Sequence, residues 1–281
     1  MAIVTRPALG LLALLAGPAA VLSGQHTSQP GTLVSFSAGL ASGPVLWHVT
    51  QPLCLWGTVP GGYQCSVNGS GLVEDTLSLT RRVSVGPTLG VGITRFVGAR
   101  VAWRLDFTYA SLAIDDRCAP AAPYQDDPDA KNRQTCENFT ADNASLSFLS
   151  VSGGLFVRAF PAAALTPFVR LGGGFTLKSG ETLAAAGAFS ASGETLTRQM
   201  VTDSSDLSVE PFAAFAVGLE LGTQSATRFQ LEVQGVAVPL ARLTGPGDIE
   251  GRAPSSTKLI QTFSLTLGVA LVPGGSHRRR Y

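Results

Sequence analysis

The stretch LIQTFSLTLGVALV, residues 259–272, decides the fold. Phe263, Leu265, Leu267, Val269 and Leu271 alternate there with Thr262, Ser264, Thr266, Gly268 and Ala270. In an extended chain successive side chains point to opposite faces, so a period of two gathers the apolar groups on one face and the small or polar groups on the other. A helix would need apolar groups every three to four residues.

The same alternation recurs upstream. In residues 101–109, Val101, Trp103, Leu105, Phe107 and Tyr109 oppose Ala102, Arg104, Asp106 and Thr108. Residues 83–93, 209–221 and 229–233 repeat it, and residues 33–40, 145–160 and 167–178 do so more weakly. The count is about eight strands, most of about 11–15 residues, well above the mode of about 5–6 in soluble sheets. A tilted strand that crosses a bilayer needs about 9–11 residues.

Composition narrows the class further. The chain has 281 residues, 45% hydrophobic and 14% charged, with 32 glycines and a formal net charge of +1. Such low charge excludes a disordered acidic or basic tail protein. A near-neutral balance without a basic stripe argues against nucleic-acid binding. Mean hydropathy is positive at +0.25, although after the first apolar run no second one is long enough for a spanning helix. A barrel with an apolar outside and a polar lumen reconciles these two facts.

Residues 1–24 read as a signal peptide. Arg6 precedes an apolar run over 8–22, and small residues follow, with cleavage after Ala20, Ser23 or Gly24. Gly10, Gly17 and Pro18 interrupt the run, which falls short of the roughly 20 residues a membrane anchor needs. Four cysteines in two close pairs, Cys54 with Cys65 and Cys118 with Cys136, suit an exported chain with local disulfides. Four cysteines allow three pairings, so connectivity stays open. Neither pair has zinc-ligand spacing.

The connections alternate in length. Residues 96–98, 161–166 and 222–226 are short, whereas 41–81, 115–144, 179–206 and 244–258 are long. Short turns at one end and long loops at the other are the pattern of a bacterial outer-membrane barrel, with the long loops outside the cell. On strand count, alternation and loop asymmetry, the mature chain resembles the small eight-stranded outer-membrane barrels of the OmpA and OmpX type. The resemblance implies an all-β, antiparallel up-and-down transmembrane barrel over residues 25–272 and a periplasmic tail over 273–281. It also implies outer-membrane lipids and the barrel assembly machinery as partners, and a monomer. One departure is plain: Pro273 and Arg278 to Arg280 separate the terminal aromatic Tyr281 from the last strand.

If the apolar faces point outward, the lumen receives Arg104, Asp106, Arg158, Arg170, Glu210, Glu220, Arg228 and Glu232. An arginine facing lipid near the midplane would cost roughly 2–4 kcal/mol, which fixes the charged face as the inner one. The expectation is a network of ion pairs that fills the lumen, with Gly86, Gly90, Gly92, Gly172, Gly174 and Gly218 leaving room for long side chains. Phe96, Phe160, Phe168 and Phe229 near the short turns, and Tyr109, Phe148 and Phe175 near the long loops, read as two interfacial girdles.

No catalytic, cofactor or metal site emerges. None of the three histidines, His26, His48 and His277, lies in one of the eight proposed strands. His48 with Asp115 or Asp116 forms no motif whose spacing demands chemistry. Asp126, Asp127 and Asp129 lack calcium-loop spacing, and Gly172-Gly173-Gly174 lacks the Lys-Ser or Lys-Thr of a phosphate loop. Residues 24–73 carry no Lys, Arg, Asp or Glu, yet Trp47, Trp56 and Tyr63 surround the first cysteine pair. That loop reads either as a contact surface for an extracellular ligand or as a cap packed on itself over the barrel mouth. The leading function is structural, adhesive or envelope-maintaining. The alternatives are a small-solute or apolar-compound channel, a rim-sited lipid-modifying enzyme, and a secreted soluble barrel with the apolar face turned inward.

Overall fold

Alternation becomes architecture only when strands pair in register and the sheet closes. The structure, a computed structural model, describes residues 31–55, 64–65, 75–121, 130–141, 145–178, 181–191, 193–205, 208–223, 225–247 and 252–273. Eight strands form the ring: β1 (Thr32–Ser42), β6 (Gly86–Phe96), β7 (Val101–Pro120), β9 (Ser145–Arg158), β10 (Leu165–Lys178), β13 (Ser208–Leu221), β14 (Thr227–Leu243) and β15 (Ser255–Leu271). Each pairs antiparallel with its neighbour in the ring. The pairing of β1 with β15, Val34 opposite Leu271 and Ser42 opposite Phe263, closes it. These are the eight strands expected from alternation. The proposed leader over 1–24 and the tail from residue 274 lie outside the described residues.

Closure satisfies every ladder within the ring and leaves no edge, which is the condition for a sheet in hydrocarbon. The outer face is apolar: Phe36, Val91, Ile93, Trp103, Leu105, Phe107, Leu171, Phe215, Leu231, Leu265 and Leu267 are all exposed, Leu267 by 67%. The inner face holds the charges. The inside-out arrangement of a soluble ligand-binding barrel is thereby overturned, because that arrangement would bury these groups and expose Arg104, Glu220 and Glu232.

The aromatic girdles need correction. Phe160, Phe229, Tyr109 and Phe175 do face outward, but Phe148 and Phe168 are buried inside the barrel. Phe96 also packs inside, against Phe156 and Ala102. Their parity explains this: Phe168 shares the face of Arg170, and Phe148 shares that of Ser152.

The long connections are not simple loops. The first contains β2 (Val45–Pro52), β3 (Cys54–Leu55), β4 (Gln64–Cys65) and β5 (Thr76–Val83). β5 pairs with β2 on one side and with residues 114–120 of β7 on the other, beyond the ring. The second holds α1 (Lys131–Glu137) and β8 (Thr140–Ala141), and the third is the hairpin β11 (Glu181–Ala191) and β12 (Glu194–Ser205), with β8 against β11. Cys118 of β7 and Cys136 of α1 form a disulfide, Cα–Cα 5.1 Å, which staples the helix to the sheet. Trp47, Val49, Leu53, Leu77, Leu79, Phe189, Met200 and Val201 make a core of their own beneath these elements. The long-loop end of the barrel therefore carries a folded cap.

Strand polarity inverts where the ring meets this cap. Along β15 the outward positions run Leu267, Leu265 and Phe263 and then change to the exposed Gln261 and Thr257, with Leu259 between them as the one exposed apolar residue beyond the line. The inward positions run Thr266, Ser264 and Thr262 and then change to the buried Ile260. β7 does the same: outward Phe107 and Tyr109 give way to Ser111 and Ala113, and inward Asp106 and Thr108 give way to Leu112. Below this line the sheet is dressed for lipid outside; above it, for water outside and a hydrocarbon core inside.

Candidate functional site

The lumen is the most chemically specialised part of the molecule. Strand parity aims every even-numbered residue of β7, β9, β10, β13 and β14 inward, so charges far apart in sequence converge. Two groups of ion pairs result, and one glutamine joins them.

The group nearer the short turns centres on Glu220, which is fully buried. Arg158 approaches it through Nη2 at 2.6 and 2.8 Å and through Nε at 3.2 Å. Arg228 donates from Nη1 at 3.0 Å. The guanidinium of Arg158 also lies 4.0 Å from the centre of the Phe96 ring. Phe156 and Phe168 stack beside it with centroids 4.7 Å apart. Aromatic faces carry negative quadrupole charge and so complement a desolvated guanidinium. Gly218 is required here, since a Cβ at that position would collide with the Phe168 ring.

The second group sits one layer further toward the cap. Asp106 accepts from Arg104 Nε at 2.8 Å and from Arg170 Nη1 at 2.5 Å. Arg170 also donates to Glu232. Ser35 accepts from Arg104 Nη2 at 3.3 Å. Gln230 links the groups, accepting from Arg104 Nη1 and donating to Glu220 Oε2, both at 3.3 Å. A Cβ on Gly92 would lie 2.6 Å from both Asp106 Oδ1 and Ser35 Oγ, so the bare backbone makes space for this cluster. Removing such charges from water costs several kcal/mol per ion, and reciprocal pairing offsets it.

Seven of the eight lumen residues singled out in the sequence enter this network. Glu210 does not: it is half-buried nearer the cap, and among the described residues no ion pair includes it. Four arginines thus face three carboxylates. Sequence reasoning missed Gln230, Ser35 and the Phe96, Phe156 and Phe168 cluster. Their inward parity was the available signal.

Above the network the lumen changes character. Thr88, Thr108, Ser150, Ser152, Thr176 and Ser264 line a cavity of about 70 Å³. Its upper wall belongs to an apolar layer built from Leu112, Leu146, Phe148, Phe212, Val238, Leu240 and Ile260. A column from the short turns outward therefore meets an aromatic and arginine plug, an ionic layer, a hydroxyl-lined void, an apolar layer and finally the cap.

The remaining candidates are placed as follows. Cys54 lies opposite Cys65 in the β3–β4 register, and their side chains lie outside the described residues. Trp56, Tyr63, Asp126, Asp127 and Asp129 also lie outside them. Trp47 is buried in the cap core at 8% exposure. That burial corresponds to the packed-cap reading of its loop. The ring of His48 is engaged by Thr80 Oγ1 at 2.8 Å and Ser78 Oγ at 3.4 Å. Asp115 is held by Arg117 at 2.8 Å, and Asp116 pairs with Arg81 at 3.3 Å. Among the described residues no group of three or more His, Cys, Asp or Glu side chains is arranged to hold a metal ion.

No protein-family model and no curated protein sequence matches the chain. Several solved outer-membrane proteins are similar to it. Neisserial surface protein A is 9% identical, with 86% of this chain and 97% of that one covered and a TM-score of 0.40. Ail, the attachment invasion locus protein of Yersinia pestis, is 9% identical over 85% of this chain and 97% of its own, TM-score 0.33. The outer membrane protease OmpT from Escherichia coli is 8% identical over 89% and 99%, TM-score 0.31. The assignment of a closed antiparallel barrel rests on the ring of strand pairings rather than on these likenesses.

Proposed function

We propose that this chain is an integral protein of the bacterial outer membrane, a sealed eight-stranded barrel that presents a folded cap to the outside of the cell. Its role on this reading is structural, adhesive or envelope-maintaining rather than enzymatic. One observation carries it: the barrel is apolar outside and ionic inside over the same stretch of strand. The nine residues from Val101 to Tyr109 rise about 27 Å along the strand, or roughly 20 Å along the bilayer normal at the usual tilt. Water would make no use of such a belt, whereas hydrocarbon requires it.

The orientation follows from the connections. The cap elements stand at the long-loop end, which such barrels present outside, and the termini leave at the short-turn end. The stacked layers of the lumen support a plug in place of a pore, as expected for eight strands. The cap is then the surface available to an extracellular ligand.

The test is fractionation of the full-length chain, gel migration with and without boiling, and conductance in planar bilayers. An outer-membrane, heat-modifiable band with no steady conductance is the expected result. A heat-modifiable band with steady conductance would replace the plug by the channel reading. A soluble species with no heat shift would overturn the membrane reading altogether.

A further inference from the structure

The outward faces of the eight ring strands carry one charged residue within the apolar belt, Arg95, and it stands at the short-turn end. It lies directly opposite Trp103 in the β6–β7 ladder, and Trp103 is 59% exposed on the same outward face. The turn that joins these strands adds the exposed Arg100 beside the exposed Val97 and Val101. Neither arginine makes an ion pair among the described residues. The three short turns, residues 97–100, 159–164 and 222–226, contain no Asp or Glu.

We infer that Arg95, Arg100 and Trp103 form a binding site for the headgroup of an anionic glycerophospholipid in the inner leaflet. This rests on the membrane reading above. Charge complementarity commits the occupant: two guanidiniums at the hydrocarbon boundary, beside short turns that contain no Asp or Glu, are matched by a phosphodiester. Guanidinium binds phosphate oxygens in pairs. The stem of Arg95 runs along the apolar belt and lets its head reach the interface. Trp103 offers an amphipathic ring on the strand beside it, the position such rings favour. The short-turn end faces the periplasm, which selects a phospholipid over the lipopolysaccharide of the opposite leaflet.

The test uses the mature chain folded in bilayer discs of phosphatidylcholine with a minor fraction of phosphatidylglycerol. After detergent release, retained lipid is read by native mass spectrometry, with Arg95→Gln/Arg100→Gln and Arg95→Lys beside the wild type. Phosphatidylglycerol should be retained above its bulk fraction. The double glutamine variant should lose about fivefold per arginine while its heat-modifiable band is unchanged, and the lysine variant should retain part. A folded, inserted wild type that holds phosphatidylglycerol no better than phosphatidylcholine would overturn the site and leave the membrane reading standing. A chain that neither inserts nor shifts on heating would overturn that reading, and the site with it.

Discussion

Arg158 and Glu220 grip one another with neither side chain exposed, two of their contacts lying under 3 Å. They belong to different strands, β9 and β13, which do not neighbour each other in the ring. The pair therefore bridges over β10, the one strand between them, and ties that part of the wall together independently of the ladder hydrogen bonds.

Removing one partner should be costly. Glu220→Gln leaves Arg158 and Arg228 facing an uncharged amide in a buried site, a loss of about 3–5 kcal/mol. The urea midpoint for unfolding from lipid vesicles and the temperature at which the gel shift is lost should both fall. The double variant Arg158→Met/Glu220→Leu should recover part of the loss. Equal stability of the wild type and Glu220→Gln would refute the network as a stabilising element.

The glycine beneath the second ionic group can be tested by volume alone. Gly92→Ala would place a methyl group 2.6 Å from Asp106 Oδ1 and Ser35 Oγ. Overpacking of this kind costs about 1–3 kcal/mol. Gly153→Ala, on the outward face with open space around its Cβ position, is the control and should be close to neutral in the same vesicle titration.

The outer face has its own probe. Leu267→Arg places a guanidinium on the exposed apolar face and should destabilise the inserted barrel by roughly 2–4 kcal/mol. If the protein were soluble, an arginine at a site 67% exposed would change little. Refolding yield into vesicles distinguishes these outcomes.

The cap should unfold separately from the barrel. Trp47→Ala removes a large side chain from the cap core, at about 3–5 kcal/mol. Cys118→Ser opens a loop of 18 residues, for which the entropic estimate is about 3 kcal/mol. Both variants should make the cap sensitive to protease while the gel shift of the barrel persists. A cap that resists protease in both variants would contradict its having a core of its own.

What could be read from the sequence follows from how cleanly each strand alternates. β15 and the lower half of β7 separate apolar from polar groups at every step, so both declared themselves. β14 was legible over Phe229 to Val233 and then faded, although the strand continues to Leu243. The reason is the inversion: inward Gln230, Glu232 and Gln234 are followed by inward Val236, Val238 and Leu240, and the contrast between faces disappears.

The cap elements were less legible for two reasons. In β2 and β5 the signal existed, since Trp47 and Val49 alternate with His48 and Thr50, and Leu77 and Leu79 with Ser78 and Thr80. It was masked by the surrounding Gly, Pro and Asn, which read as a loop. In β11 the run from Ala184 to Ala188 is small on both faces, so no alternation can be seen there. For the lumen, parity alone named the charged residues. Which carboxylate meets which arginine depends on the stagger between strands, a quantity that no single strand encodes.

The inversion of polarity has a consequence for bilayer thickness. Its line crosses β7 just beyond Tyr109 and β15 just before Phe263, while Arg95 marks the opposite rim. Raising the barrel would pull Arg95 into hydrocarbon, and sinking it would submerge Ser111, Gln261 and the polar outer face of the cap. The barrel thus carries a depth gauge of fixed span. A thicker bilayer would have to thin around it, because the protein cannot slide to meet one leaflet without failing the other.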